Sequence, residues 1–403
     1  MTATASAHPR PEPPPEVTWA VPLADVLVDD AIAEAVDDVL RSGWWTMGPK
    51  VAEFEDAFGE FVGARALAVA NGTAALHLAL LAVGCGPGDE VILPSLTFVA
   101  AANCVVHTGA RPVFCDVVAP GDLNMDPDDV ERMITPATKA IVAFHYGGHP
   151  CQLDRLAALA ERHGLALLED AAHAPGSRWN GRMCGTIGDV GCFSFFSNKN
   201  LPVGEGGMVV TRSAELAERL RLLRSHGMTR LTWDRHRGHA ASYDVVETGF
   251  NYRLDELRAA IGLVQLGRLE AGNRARARIV ARYRELLDGI AGVVMPFADG
   301  DPSSAHHLAV LVLPRGFGRA EFRASLDAAR IQTSVHYPPI HQFTAFRRRD
   351  PRPLPVTEDL AERLVTIPLY PQLDDDAVEL VADAVLRATG ARARTERGNN
   401  GTG

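Results

Sequence analysis

Residues 194–211 read SFFSNKNLPVGEGGMVVT. A mostly apolar strand leads into this stretch, a glycine-rich turn follows, and residues 207–211 read as the next strand. Between them sits one lysine, Lys199, in a run with no other positive charge. A lysine amine in a semi-buried site has a lowered pKa and can condense with an aldehyde. On spacing alone, a surface lysine in a loop accounts for the same residues equally well.

Upstream, the strand-and-turn pattern repeats. Residues 66–70, 90–93, 113–116, 140–144 and 165–169 are short apolar runs. Helical stretches at 73–83, 97–107 and 153–163 lie between some of them. Strands alternating with helices imply an α/β fold with a mainly parallel sheet covered on both faces. In such sheets ligands bind just beyond the carboxyl ends of strands.

Downstream the pattern changes. Residues 254–290 are rich in Ala, Leu, Arg and Glu and read as long helix, broken near Gly272. A strand (307–313), a helix (319–329), a strand-like run (333–336) and a final helix (374–388) follow. The division read from this is a large domain over 17–272 and a smaller domain over 273–389. Residues 1–16, with five prolines, and 390–403, GARARTERGNNGTG, read as unstructured tails, because neither can offset its ordering entropy by burial.

Composition narrows the function classes. In 403 residues, 40 basic against 50 acidic side chains leave a formal charge of −10. No basic excess is available to neutralise phosphates, which argues against general nucleic-acid binding. No apolar run approaches a membrane span, and the start lacks the pattern of a secretory signal. Six scattered cysteines without a CxxC pair read as reduced thiols of a cytoplasmic protein.

Two further motifs stand at predicted strand ends. In LLEDAAHAPGS (167–177) a strand delivers Asp170 at its carboxyl end. A carboxylate there can keep a pyridine nitrogen protonated; an N-cap for the next helix is the plainer reading. In AVANGTAALHLAL (68–80) a strand, an Asn-Gly-Thr turn and a helix follow one another. The start of that helix suits a phosphate, though simple capped turns look the same. Together the three motifs supply an amine nucleophile, a carboxylate and a phosphate cradle, which is the set that pyridoxal 5'-phosphate requires.

With GPKVAEFEDAF, GPGDEVILPSLTFVA, GARPVF, GFNYRLDELRAAIGLVQL and IPLYP in that order, the chain resembles the DegT/DnrJ/EryC1/StrS family of sugar aminotransferases. The resemblance runs from about Pro22 to Leu373. It implies the pyridoxal-phosphate transferase fold of type I: a large domain with a mainly parallel seven-stranded sheet, and a smaller C-terminal α+β domain. Residue by residue, Lys199 matches the lysine that holds the cofactor and shuttles the proton. Asp170 matches the partner of the pyridine nitrogen, and Phe98 the aromatic that stacks on the ring. Gly72, Thr73 and Ser194 match phosphate ligands. Asn251 matches an asparagine reaching the phosphate from the neighbouring subunit, which implies a homodimer with shared sites. His173 stands where many members carry Gln, and either can hydrogen-bond the ring hydroxyl. Relatives that dehydrate carry histidine at the position of Lys199.

The implied activity is transfer of an amino group from L-glutamate to a nucleotide-linked keto sugar, with dTDP-4-keto-6-deoxy-D-glucose the favoured acceptor. Amination at C3, amination of a keto-cyclitol, and a non-catalytic cofactor-binding regulator are the alternatives. The Ala- and Arg-rich composition is compatible with a bacterial natural-product pathway such as antibiotic biosynthesis. Candidate substrate contacts are Trp45, Tyr146, Arg230, Arg237, Arg253 and His341. His226, His236 and His239 have no carboxylate or cysteine spacing to support a metal. Their stretch, with Arg230, Arg235 and Arg237, suits a diphosphate better. RRRD at 347–350 reads as a solvated turn.

Overall fold

Seven strands form the central sheet: β1 (Arg65–Val69), β2 (Glu90–Pro94), β3 (Arg111–Cys115), β4 (Thr138–Phe144), β5 (Ala166–Asp170), β6 (Val190–Ser194) and β7 (Gly207–Thr211). Their order is β1-β7-β6-β5-β4-β2-β3. β7 runs antiparallel to both of its neighbours, and the remaining pairs are parallel. The computed structural model describes residues 18–230, 242–297, 303–347 and 352–391. The N-terminal tail, Arg235, His236, Arg237, His239, most of the 347–350 run and most of the C-terminal tail lie outside the described residues.

Both faces of the sheet are covered, as its apolar strands require. Along β4, Ile141 and Ala143 join one buried cluster while Ala140 and Val142 join another. The first cluster centres on Phe54, Phe58, Phe193 and Phe195, which meet ring to ring. Truncating one of these buried rings to Ala costs about 3–5 kcal/mol.

Helices α1 (Asp30–Ser42) and α2 (Pro49–Val62) precede the sheet; α3 (Gly72–Ala82), α4 (Ala100–His107), α5 (Leu153–His163) and α6 (Ala214–Arg224) connect or follow its strands. Asn71, at the end of β1, caps α3 by accepting from the Ala74 N–H. The helix expected from residue 97 begins only at Ala100, because Thr97 and Phe98 turn the chain out of β2. α7 (Glu256–Leu287) is one 32-residue helix. The break expected near Gly272 is absent. A Cβ there would meet only Pro371 Cγ, at 3.4 Å, so the glycine relieves packing without ending the helix.

The second half of α7 packs with β8 (Ala309–Val312), α8 (Arg319–Ala328), β9 (Leu364–Ile367) and α9 (Asp375–Ala388) around a separate apolar cluster. The strand-like run at 333–336 forms one bridge only, Ser334 with Thr366.

Candidate active site

The carboxyl ends of β1, β5 and β6, with the start of β7, surround a cavity of about 400 Å³. Gly72, Thr73, Phe98, Asp170, His173, Ser194 and Lys199 all line it. These are seven of the eight residues expected to hold the cofactor. The sequence separates them by up to 127 positions (Gly72 to Lys199), and the parallel topology gathers them at one edge of the sheet.

The cradle is built by close approach. A Cβ on Gly72 would sit 2.8 Å from Ser194 Cβ, and one on Gly207 would sit 2.6 Å from the Asn71 backbone. Glycine at both positions lets β1, β6 and β7 converge, and with the Ala74 N–H taken by the Asn71 side chain, the Gly72 and Thr73 N–H groups of α3 face the cradle for an anion.

Asp170 is buried, and burial raises its pKa to about 6; the Ala172 N–H, at 3.2 Å, and the Lys199 charge pull the other way. Burial lowers Lys199 to about 8, opposed by Asp170. The two groups thus meet at neutral pH as a carboxylate and a partly deprotonated amine.

Behind Asp170, Glu169 is fully buried and accepts N–H bonds from Gly185, Ile187 and Gly188 at 2.6–2.7 Å. His145 Nε2 donates to it at 3.1 Å, because His145 Nδ1 accepts from the Cys151 N–H. Burial pushes Glu169 up, but these bonds outweigh it and hold the carboxyl below its usual range. His145, Glu169 and Cys184 lie close enough to suggest a cation site. The donors already aimed at Glu169 make them a brace for the loop that supports β5 and β6.

The remaining wall comes from residues the motifs do not flag. His336 and Tyr337 enter the cavity from the segment after α8. Behind them, His307 lies tilted against His173, with ring centroids 4.2 Å apart, and hydrogen-bonds Asn200 Oδ1 at 2.9 Å. Burial and the Lys199 charge hold His173, His307 and His336 below the usual histidine range. The His-Tyr pair in SVHYPPIHQ, at the end of a strand-like run, is the signal that could have found Tyr337.

Several expected substrate contacts lie elsewhere. Tyr146 is buried, with its hydroxyl bonded to the His336 carbonyl. His341 is buried too: its Nδ1 meets Ser95 Oγ at 2.7 Å and its Nε2 meets Glu358 at 3.2 Å, so it ties the C-terminal segment to the end of β2. Trp45 is 54% exposed and bonds the Leu40 carbonyl. Arg230 is exposed and Arg253 half-buried, with no partner for Arg253 Nη1 among the described residues. None of these lines the cavity. Asn251 is exposed and pairs with Ser225, outside its own chain's cavity. His173 has both ring nitrogens engaged, Nδ1 by the Gly147 N–H and Nε2 by Tyr337.

A mainly parallel sheet carrying a lysine, a carboxylate and an anion cradle at its strand ends defines a pyridoxal-phosphate-dependent transferase fold. The chain belongs to the DegT/DnrJ/EryC1/StrS aminotransferase family, whose model it matches over residues 27–386. It is 42% identical over 374 residues to the spore coat polysaccharide biosynthesis protein SpsC of Bacillus subtilis, covering 91% of this chain and 96% of that one. The aminotransferase TlmJ from Streptoalloteichus hindustanus superposes with a TM-score of 0.85 at 36% identity, over 92% of this chain and 99% of TlmJ. DesV of S. venezuelae, solved in complex with a ketimine intermediate, superposes with a TM-score of 0.82 at 38% identity, over 89% and 94%. The protein is a pyridoxal-phosphate-dependent sugar aminotransferase.

Proposed function

We propose that the cavity holds pyridoxal 5'-phosphate and that the enzyme moves an amino group from L-glutamate to a nucleotide-linked keto sugar, dTDP-4-keto-6-deoxy-D-glucose being the favoured acceptor. The observation that carries the reading is the meeting of Lys199, Asp170 and the start of α3 on one cavity. The residues fit the cofactor's three chemical handles: an amine for the aldehyde, a carboxylate for the ring nitrogen and a glycine-built anion cradle for the phosphate. When bound, the cofactor supplies an electron sink that lets a proton leave the carbon bearing the amino group.

The chain's own residues do the rest. Lys199 Nζ, partly free of its proton at neutral pH, would hold the cofactor through its aldehyde and, once an incoming amine has displaced it, would take up and return the mobile proton. The Asp170 carboxylate keeps a proton on the ring nitrogen. Phe98, 56% exposed in the single chain, covers a ring face. The N–H groups of Gly72 and Thr73, with Ser194 Oγ, hold the phosphate. Asn251 is exposed and does not line its own chain's cavity, which supports a homodimer in which it reaches the cavity of a second copy. Both substrates would use the one cavity in turn, giving ping-pong kinetics.

The relation to a polysaccharide biosynthesis protein supports the sugar branch. A protein of charge −10 needs a local basic patch for a diphosphate. Arg230 begins the best candidate in the sequence, the run to His239, with Arg253 beside Asn251 to help it; Arg235 and Arg237 lie outside the described residues. The test is turnover, with glutamate as donor, of a panel of nucleotide-linked 3-keto and 4-keto sugars and keto-inositols. Turnover of the dTDP-linked 4-keto sugar is expected. Turnover of a keto-inositol alone would overturn the nucleotide-sugar assignment.

A further inference from the structure

One wall of the cavity carries a chain of hydrogen bonds that ends on an unused donor. The Gly147 N–H approaches His173 Nδ1 at 3.3 Å. A backbone N–H can only donate, so Nδ1 is an acceptor and bears no proton. A neutral imidazole then carries its proton on Nε2, which lies 2.9 Å from Tyr337 Oη. Tyr337 Oη therefore receives a hydrogen bond, and its own proton has no acceptor among the described residues. The Tyr337 ring lines the cavity beside Lys199 and Asp170 and lies 6.0 Å from the ring of Phe98.

We propose that Tyr337, and not His173, donates the hydrogen bond to the ring oxygen of the cofactor, and that His173 is a positioning residue acting through Tyr337. The inference rests on the reading that the cavity holds pyridoxal 5'-phosphate. With the ring nitrogen at Asp170 and the phosphate at Gly72, the hydroxyl edge is the polar part of the ring left without a partner. His173 has no donor to offer it. Tyr337 has one, and the bond it receives from His173 polarises its O–H and strengthens what it gives. Burial, with the Lys199 charge beside it, keeps His173 neutral, and burial keeps Tyr337 protonated. The other titratable groups facing the pair are Asp170, Tyr146, His307 and His336; burial keeps Tyr146 protonated and holds His307 and His336 neutral.

A spectrophotometric pH titration of the cofactor-loaded protein, without either substrate, tests the relay. A donor on the ring oxygen favours the deprotonated chromophore, in which that oxygen keeps its negative charge to itself. Tyr337→Phe should therefore move the colour change upward by about one pH unit, the size of one hydrogen bond to a charged group. His173→Gln should move it the same way by less, and the double variant no further than Tyr337→Phe alone, as two links of one chain must. An unmoved Tyr337→Phe beside a shifted His173→Gln overturns the proposal, and so do two shifts that simply add. If Tyr337→Phe does not load, 3-fluorotyrosine at position 337, a stronger donor, should move the change to lower pH, and an unmoved titration overturns the proposal. A parent protein that never acquires the chromophore would refute the cofactor reading itself.

Discussion

The amine of Lys199 offers the sharpest quantitative handle. With its pKa lowered to about 8 by burial, Lys199 is ~9% free base at pH 7, whereas an ordinary lysine is ~0.03%. Roughly 300 times more nucleophile is ready at neutral pH. Asp170 works against this, because its negative charge holds the Lys199 proton on. Its own pKa of about 6 leaves it ionised above neutrality. Asp170→Asn removes the charge, so the Lys199 midpoint should fall below about 8. The assay is the rate at which cofactor-free protein captures pyridoxal 5'-phosphate, trapped with borohydride at Lys199 and followed from pH 6 to 11. A parent midpoint near 10.5, or an upward shift in Asp170→Asn, would refute the electrostatic reasoning. Labelling of a different lysine would remove Lys199 from the site.

Buried histidines should make the fold acid-sensitive. His149, His173, His307 and His336 are held neutral by burial, His336 down to about 4. The unfolded chain binds protons that the folded one refuses, so unfolding free energy should fall as pH drops from 6.5 towards 4, by up to ~3 kcal/mol for His336 alone. Asp170 opposes this between pH 3.8 and about 6. A denaturant midpoint that stays flat from pH 7 to 5 would contradict the picture. Glu256 plugs the start of α2, accepting the N–H groups of Gly48, Lys50 and Val51 at 2.9 Å each, while Gly48 offers no side-chain cap. Glu256→Gln should cost about 3 kcal/mol by urea unfolding, and a loss under ~1 kcal/mol would show the carboxylate to be incidental. If Asn251 serves the other subunit, mixing inactive Lys199→Ala with inactive Asn251→Ala should restore roughly a quarter of the activity through hybrid dimers. No recovery after mixing would sink the shared site.

Lys199, Asp170 and the Gly72 turn were legible because each motif sits where a strand ends. Parallel topology sends those ends to one edge, so local sequence predicted long-range proximity. His336, Tyr337 and His307 carry no such marker. They come from irregular segments after α7, and only the tertiary fold turns them toward Lys199. His341 shows the reverse error: five residues from His336 and equally polar, it points to Ser95 and Glu358 instead. The expected break at Gly272 failed for another reason. Glycine weakens a helix by only about 1 kcal/mol, and packing of α7 against both apolar clusters outweighs that.

The place of β1 in the sheet bears on the order in which the molecule becomes competent. β1 is the first sheet strand in the chain, yet it stands at an edge and pairs with β7, Val69 opposite Gly207. β6 and β7, which flank Lys199, close a far shorter loop, with Ser194 opposite Gly207. Loop-closure entropy favours the hairpin first and the distant edge pairing last. The anion cradle needs that last pairing, because Asn71 and Gly72 follow directly from β1. A nascent chain can therefore carry its nucleophile loop before it has anywhere to anchor a phosphate. Cofactor capture then marks the closing of the sheet's edge.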